Sequence, residues 1–265
     1  MKVAILAAGD NRKYFPLFIN KPKCLYHQNG EVQLERVIND AKAIVEEKDI
    51  IVVGGYKYKK VEKYLKKNHP HITFKNNQKY LEPAIYSFRA AIEDVNDDFV
   101  FMFGDESINL KNIKKIAESD KKLSIMYHDK HYYYSLGIFK LRKDNLYIIN
   151  DDKYLDFEEI KKIYKYANGK EYEGGFSINS GICIGYMMID MITRIGGFEK
   201  IEYPGLYKGT DIDFIHYDPS LEYFPDLDNI YATDEYKNNF VLKVYNKFFS
   251  NPVKELLYKL HIWTR

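Results

Sequence analysis

Two periods of hydrophobicity alternate along the first part of the chain. Short, nearly continuous apolar runs occupy Val3–Ala8, Asp49–Val53, Ile72–Phe74 and Phe99–Phe103. Between them stand segments whose apolar side chains recur at helical spacing, namely Val32–Glu47, Tyr58–Asn68 and Pro83–Val95. Apolar strands that alternate with amphipathic helices indicate a mainly parallel sheet with helices on both faces. We therefore predict a Rossmann-like α/β fold with three αβα layers and a mixed, mainly parallel sheet.

The pattern changes in the second part of the chain. Lys122–Tyr127 is predicted as a strand, and Tyr132–Leu141 with Leu146–Ile149 as an antiparallel pair of strands. A polar helix is predicted over Asp156–Ala167, followed by an apolar strand over Ile178–Met188. We expect this half to form the acceptor side of the sheet.

The last segment, Tyr236–Arg265, is basic and amphipathic, and Pro252 divides it into two predicted helices. We expect residues 1–235 to form one domain and residues 236–265 a C-terminal helical segment. Such a segment can pack on the core, form a homodimer or lie on a membrane surface. Packing on the core or on a second subunit is the simpler interpretation.

Composition narrows the class of protein. Of the 265 residues, 46% are hydrophobic and 29% charged, with a net charge of +2, which gives no support for a nucleic-acid partner. Two cysteines, Cys24 and Cys183, form neither a metal-binding spacing nor a disulfide framework. There is no signal-peptide pattern and no apolar run of about 20 residues. We expect a cytoplasmic protein without a transmembrane segment.

The first apolar run leads into a stretch suited to binding phosphate. It ends in Leu6, Ala7, Ala8 and Gly9, and a basic loop with Asn11, Arg12 and Lys13 precedes the pair Pro22-Lys23. Small residues let the backbone approach a nucleotide closely, and basic side chains neutralise its phosphates. Ligands in parallel sheets bind at the carboxyl ends of the strands. The pair Gly54-Gly55 and residue Asp105 stand at two more such ends.

This stretch resembles the signature of the nucleotidyltransferases that activate sugar phosphates and choline phosphate. Their pattern is Leu-Ala-Ala-Gly-x-Gly-x-Arg, followed by Pro-Leu and Pro-Lys. The chain keeps Leu6–Gly9, Pro16-Leu17 and Pro22-Lys23 at the family spacing. It departs from the pattern at Asn11, where the family has its second glycine, and at Lys13, where the family has arginine. Lysine replaces a forked contact by a point charge, so either Arg12 or Lys13 contacts the phosphates.

The resemblance implies transfer of a nucleotidyl group to a phosphorylated acceptor, with magnesium (Mg²⁺) and release of pyrophosphate. It assigns Lys23 to the phosphates and Asp105 to the metal, where the plain alternatives are a solvated lysine and a turn residue. A second metal carboxylate is expected at Asp228. Asp211 and Asp213 are a weaker alternative, and alignment on Thr233 would instead leave this ligand missing.

The resemblance also implies a nucleotide pocket and an acceptor pocket. The pair Tyr86-Ser87 is similar to the choline-phosphate cytidylyltransferase branch, which favours CTP; Pro83 can also be an ordinary first-turn proline. Asn179 and Ser180 are expected on the acceptor, although a bulge or turn at Gly181 is the plain alternative. The full set expected at the nucleotide is Leu6, Ala7, Ala8, Gly9, Asn11, Gly55, Tyr56, Glu82, Ala84, Ser87 and Gly104.

Two other interpretations stay open. A glycosyltransferase of similar layered architecture would use Asp105 to bind the metal of a sugar nucleotide, but would be expected to lack Pro22-Lys23. A regulatory homologue could bind nucleotide without catalysis. The expected product, a metabolite activated for surface-polysaccharide or related synthesis, depends on an acceptor that the sequence does not identify.

Overall fold

The structure is a computed structural model that describes residues 1–9, 20–106, 108–127, 138–152, 211–216 and 234, and residues 187–197 other than 189 and 193. In this part of the chain, seven strands form one sheet and two short strands form a separate hairpin. The predicted helix at 156–167 and the C-terminal segment 236–265 lie outside the described residues. The proposed boundary at residue 235 therefore stays a prediction.

The first strand of the chain, β1, lies near the centre of the large sheet. In spatial order its strands are β5 (Thr73–Asn76), β4 (Ile50–Gly54), β1 (Lys2–Ala7), β6 (Phe99–Phe103), β8 (Ile138–Leu141), β7 (Leu123–Tyr127) and β9 (Ile212–His216). The hairpin consists of β2 (His27–Gln28) and β3 (Glu31–Val32).

Six of the seven strands of the large sheet run in one direction. Ala4 of β1 lies opposite Ile51 of β4 on one side and Phe101 of β6 on the other, both in parallel register. Strand β8 is antiparallel to its neighbours β6 and β7, with Phe139 opposite Phe101. The prediction of a mixed, mainly parallel sheet is confirmed.

Helices cover both faces of this sheet. They are α1 (Gln33–Lys42), α2 (Tyr58–Asn68), α3 (Ile85–Ile92) and α4 (Leu110–Glu118). Apolar side chains of α1, α2 and α4 pack on one face, and those of α3 and of the helical residues within 187–196 pack on the other. The helical spacing in the sequence explains this, because Val61 and Leu65 of α2 are buried one turn apart.

The core differs between the two faces. Alternate residues of β1 contribute to each, so that Val3 and Ile5 lie on the α1 side and Ala4 on the α3 side. The α3 side is aromatic, with the rings of Phe101 and Phe139 stacked at 4.9 Å between centroids. Burial on both faces explains why these strands are continuous apolar runs in the sequence.

One predicted strand is wrong, and a second is wrong at its end. Leu146–Ile149 does not form a strand, since Lys143–Ile148 is a 3₁₀ helix that buries Leu146 and Ile148. The predicted strand Ile178–Met188 is contradicted at its end, because Met187 and Met188 are helical and buried; its residues 178–186 are outside the described part. A short apolar run cannot distinguish a strand from a buried helical turn by its composition.

Ion pairs join the strands where they begin, at what we call the amino end of the sheet. The amino terminus contacts Asp97 at 2.9 Å, just before β6, and Lys2 of β1 contacts Asp49 at 2.6 Å, just before β4. Two further pairs at this end are Arg142–Asp98 and Lys122–Asp211. Each links residues next to neighbouring strands, which ties the strand starts together.

Candidate functional site

The opposite side of the sheet, its carboxyl end, brings the predicted nucleotide residues together. Strands β4, β1 and β6 are adjacent and parallel, and they are followed by Gly55, Ala8-Gly9 and Gly104-Asp105. The connections through α1 and α2 lie on one face, and the connection through α3 lies on the other. The strand order therefore reverses between β1 and β6, which is where open α/β sheets bind their ligands.

Two glycines allow the backbone to pack closely at this end. A methyl group at Gly55 would lie 2.4 Å from Cβ of Tyr80 and 2.6 Å from the carbonyl oxygen of Ala8. At Gly104 it would lie 2.8 Å from Cβ of Ala7. The backbone N–H of Tyr56 donates to Ala8 O at 3.3 Å, so the turns after β4 and β1 are hydrogen-bonded to each other.

Gly9 is different because it is exposed and has few described residues near it. Among the described residues, a methyl group there would meet a single neighbour within contact range, Cε of Lys23 at 4.0 Å. Its exposed backbone and the aliphatic stem of Lys23 thus line the same side of the crevice. No other described residue comes within 4 Å of such a methyl group, so the described part of the chain leaves the end of β1 accessible to a ligand.

Lys23 is positioned by residues anchored in the core. Pro22 precedes a single 3₁₀ turn over Lys23–Leu25, in which Cys24 and Leu25 are buried. The N–H of Leu25 donates to Pro22 O at 3.0 Å. The fixed φ of proline and the two buried side chains hold the turn, so that Lys23 projects from a rigid base.

The ammonium group of Lys23 forms an ion pair with the Asp105 carboxylate. The side chains are 21% and 15% exposed, respectively, so the pair is largely withdrawn from water. The structure thus brings together the two residues that the sequence assigns to phosphate and to metal. The pair lies in the crevice between the ends of β1 and β6.

The thiol of Cys24 lies behind this pair. Burial, and to a lesser extent the negative charge of Asp105, raises the pKa of Cys24 to about 12. Cys24 is therefore a neutral packing residue at physiological pH and is not a nucleophile.

Asn77 connects the turn after β4 to the start of α3. Its backbone N–H donates to Gly54 O at 2.8 Å, and its side-chain Nδ2 donates to Ser87 Oγ at 2.9 Å. The Lys79 N–H donates to Asn77 Oδ1 at 2.9 Å. Asn77 and Ser87 are buried, so this network fixes the segment that carries Tyr80, Glu82 and Ala84.

Asn77 had a weak signal in the sequence, as an asparagine preceding Tyr86-Ser87. Its role as the centre of a buried network could not be inferred from spacing. The structure gives the hydroxyl of Ser87 an internal partner, and Glu82 is exposed nearby. Tyr80 packs against Gly55, and the centroids of the Tyr80 and Tyr56 rings are 6.3 Å apart. These contacts join the segment before α3 to the turn after β4.

The donor chemistry at Asp105 fits magnesium. A carboxylate is a preferred ligand for this ion, and here a cationic group, the Lys23 ammonium, already stands against it. Among the described residues no group of three or more acidic, histidine or cysteine side chains could hold a metal. A magnesium ion would thus depend on Asp105 together with phosphate oxygens or further residues.

The alternative metal ligands Asp211 and Asp213 are ruled out as partners of Asp105. Asp211 lies at the amino end of the sheet and is paired with Lys122. Asp213 belongs to β9 and lies opposite Ser124 of β7. Strand β9 is three strands away from β6, which is about 14 Å at the usual strand spacing. The acidic pattern around them therefore has a structural explanation.

Several predicted site residues lie outside the part of the chain that the structure describes. These are Asn11, Arg12, Lys13, Asn179, Ser180 and Asp228. Their roles stay predictions.

Solved structures of similar architecture come from nucleotidyltransferases. The inositol-1-phosphate CTP transferase of T. maritima matches with a TM-score of 0.51 and 14% identity, over 81% of this chain and 84% of that one. A nucleotidyl transferase from Methanothermobacter thermautotroptrophicus matches with a TM-score of 0.51 and 16% identity, over 82% and 87% of the two chains. The chain has the nucleotidyltransferase fold. The resemblance seen in the sequence is confirmed at this level, without singling out the choline-phosphate branch.

Comparison of the sequence with known proteins gives two further matches. A family model described as a domain of unknown function (DUF6564) matches residues 20–136. The bifunctional protein GlmU of Buchnera aphidicola subsp. Schizaphis graminum is 30% identical over 179 residues, which are 64% of this chain. The chain spans 38% of the length of that relative.

No helix among the described residues is long and apolar enough to cross a bilayer.

Proposed function

We propose that the protein transfers a nucleotidyl group from a nucleoside triphosphate to a phosphorylated small molecule or sugar. One observation carries this proposal: Lys23 and Asp105 meet in the crevice between β1 and β6, beside the close-packed glycines of the neighbouring strand ends. The crevice offers a cation for phosphate, a carboxylate for a metal, and backbone that a nucleotide can approach closely.

The proposed reaction needs alignment and charge neutralisation. A phosphate oxygen of the acceptor attacks the α-phosphorus and forms a new P–O bond. The bond from the α-phosphorus to the pyrophosphate oxygen breaks, and its electron pair leaves with pyrophosphate. Lys23 donates hydrogen bonds to phosphate oxygens and stabilises the negative charge that develops there. Asp105 would hold magnesium, with Asp228 as a second ligand, and the ion would neutralise triphosphate charge.

We assign the remaining predicted residues to roles around this centre. The backbone at Leu6–Gly9, Gly55, Tyr56 and Gly104 would border the nucleotide, and Asn11 with Arg12 or Lys13 would contact its phosphates. Glu82 and Ala84 would lie near base and ribose, with Ser87 holding their segment. Asn179 and Ser180 would contact the acceptor.

We favour CTP as the nucleotide. The similarity of Tyr86-Ser87 to the cytidylyltransferase branch supports this choice, and one structural relative is named as a CTP transferase. The product would serve surface-polysaccharide or related synthesis in the cytoplasm. A homodimer through residues 236–265 is a further part of the proposal.

Pyrophosphate release tests the activity. Purified protein with Mg²⁺ is given CTP, UTP, GTP, ATP or dTTP in turn, each with a panel of phosphomonoesters. We expect release with at least one pair, and most rapidly with CTP. Nucleotide binding without release from any pair would favour the regulatory homologue. Hydrolysis or transfer of a sugar from a sugar nucleotide would instead favour the glycosyltransferase.

A further inference from the structure

Helix α2 carries its lysines on the side that faces away from the sheet. Val61 and Leu65 are buried where the helix packs on β4 and β5, whereas every lysine of the helix is exposed. At helical spacing these lysines fall within one arc of about 120°, opposite the buried side chains. We call this surface the α2 lysine face, and its members are Lys59, Lys60, Lys63, Lys66 and Lys67.

Helix stability does not explain this arrangement. Lys66 and Lys67 lie in the last turn, where they complement the helix dipole. Lys59 and Lys60, however, lie in the first turn, where positive charge is unfavourable. The first turn contains no acidic residue, and the N-cap, Lys57, provides no side-chain cap. The helix therefore begins with positive side chains at the positive end of its dipole.

Like charges also lie next to each other along the helix. Lys59, Lys63 and Lys67 follow one another at intervals of four residues, so that neighbouring ammonium groups repel each other along a row about 12 Å long. Lys66 has a counter-charge in Glu62, at 2.7 Å, whereas the described part of the chain gives none to the three lysines of the row. A negatively charged partner would relieve this repulsion.

The chemistry of the face favours a partner with many diffuse negative charges. Helix α2 contains no arginine, so the face offers hydrated point charges and no forked contacts for single carboxylates or phosphates. The two tyrosines of the helix are engaged within the protein, since Tyr58 stacks on Phe74 and Tyr64 donates to Glu35. The face thus offers neither the anchors typical of protein interfaces nor the rings on which single-stranded nucleic acids stack.

An anionic lipid bilayer has the matching properties. Its headgroups form an extended layer of negative charge that attracts lysines held close to it. Helix α2 packs on β5, the outermost described strand on that side of the sheet, so the face lies at a border of the described fold. The exposed large apolar side chains of the described residues lie elsewhere, at Leu81, Leu110 and Tyr147, so nothing on the face would insert into the lipid.

We infer that the α2 lysine face binds the surface of anionic membranes, peripherally and reversibly. The contact is electrostatic, and it leaves the crevice between β1 and β6 unchanged. The inference goes beyond the proposed function and does not depend on it.

Sedimentation with large unilamellar vesicles tests the inference on the purified protein. At low salt the protein should sediment with vesicles of phosphatidylglycerol and phosphatidylcholine in equal parts, and should stay in solution with phosphatidylcholine alone. Raising the salt to about 1 M should release it, because the Debye length is then about 3 Å.

Replacement of the row identifies the surface that binds. The triple variant Lys59→Gln, Lys63→Gln and Lys67→Gln should bind the anionic vesicles about 100-fold more weakly than the unmodified protein. Because the three side chains are exposed and repel each other, its melting temperature should be unchanged or higher. Pyrophosphate release in solution should be unchanged.

The matched control removes three positive charges from helix α4. This helix packs on β7 and β8, on the other half of the sheet from α2. The control variant combines substitutions at three exposed positions, Lys111→Gln, Lys114→Gln and Lys115→Gln. Its binding to anionic vesicles should change by less than about threefold. Both triple variants lose the same net charge, so the comparison separates the α2 lysine face from the charge of the whole chain.

Absence of binding to anionic vesicles, equal binding to both kinds of vesicle, or equal losses in the two triple variants would overturn the inference. Binding of duplex DNA or polyglutamate without binding of anionic vesicles would do the same, because the face would then take another polyanion. If the α2 variant does not fold, the lipid and salt dependence of the unmodified protein and the α4 variant remain decisive. Failure of the proposed function appears separately, as no pyrophosphate release from any pair of substrates.

Discussion

Lysine–aspartate ion pairs occur at both ends of the sheet, and their surroundings distinguish a structural pair from the pair that we propose to be functional. At the amino end, Lys2 pairs with Asp49 beside strand starts that are already joined by backbone hydrogen bonds. At the carboxyl end, Lys23 pairs with Asp105 across the crevice where the strand order reverses. Both pairs join a lysine to an aspartate, but only the Lys23–Asp105 pair lies beside the exposed backbone of Gly9.

The neighbouring residues explain the difference. Around Lys2 the chain continues directly into the buried β1, so the pair closes the start of a strand. Around Lys23 the chain makes a single turn anchored by Cys24 and Leu25, and the facing residue is Gly9. The Lys23–Asp105 pair thus lies beside the exposed backbone of Gly9, whereas the Lys2–Asp49 pair joins the starts of two neighbouring strands.

The largest expected effect is on turnover when the carboxyl-end pair is broken. Lys23→Met should lower the rate of pyrophosphate release by about 100-fold or more, because it removes a charge that stabilises the developing negative charge. Circular dichroism should show the same fold, because Cys24 and Leu25 still anchor the turn, although the loss of this partner of Asp105 should lower the melting temperature. Turnover within a factor of about two of the unmodified protein would contradict the assigned role.

The next prediction compares the stability effects of substitutions at two glycines, Gly55, which is closely packed, and Gly9, which is exposed. Gly55→Ala should lower the free energy of unfolding by about 1–3 kcal/mol, because its methyl group would lie 2.4 Å from Tyr80 Cβ and 2.6 Å from Ala8 O. Gly9→Ala meets, among the described residues, Lys23 Cε alone at 4.0 Å and should cost less than about 0.5 kcal/mol. Urea unfolding measures both.

The order of the two variants should be reversed for ligand binding. Gly9→Ala should weaken CTP binding despite its unchanged stability, because the methyl group occupies the open side of the crevice. Equal loss of stability in both variants would show that Gly9 is a packing residue like Gly55.

A smaller effect is expected at the buried network of Asn77. Ser87→Ala leaves Nδ2 of Asn77 without its acceptor in a buried site and should cost about 1–2 kcal/mol of unfolding free energy. A double-mutant cycle with Asn77→Ala should give a coupling of at least about 0.5 kcal/mol. Strict additivity would mean that the hydrogen bond does not contribute.

The smallest effect is expected at the amino end. Lys2→Met should lower the free energy of unfolding by less than about 1 kcal/mol, because both side chains of this pair retain access to water. Pyrophosphate release should be unchanged. A loss of turnover comparable to that of Lys23→Met would erase the distinction between the two ends.

The sequence predicted the first part of the fold well because its strands are buried on both faces. Tyr58–Asn68 and Phe99–Phe103 have the predicted bounds, and the three strand ends meet as expected. Prediction failed at Leu146–Ile149 and at Met187-Met188, where short apolar runs are buried as helical turns. Hydrophobicity predicts burial at such sites but not the backbone conformation.

The candidate site was predictable in its residue types and not in its contacts. Lys23 and Asp105 were each assigned from local motifs, but their pairing depends on how the 3₁₀ turn is seated beside β6. The bond from Asn77 to Ser87 depends likewise on how β5 and α3 pack. Asp211, the weaker alternative ligand, lies at the amino end of the sheet, and an acidic pattern in the sequence does not show at which end of a strand it lies.

Hydrogen–deuterium exchange with and without nucleotide tests most directly whether the carboxyl end is the binding site, and it requires no knowledge of the acceptor. With CTP and Mg²⁺, amides near Gly9, Gly55 and Asp105 should gain protection, while those near Asp49, Asp97 and Lys122 should not change. Protection confined to the amino end, or no protection at the carboxyl end with any of the five triphosphates, would contradict the assignment of the crevice between β1 and β6.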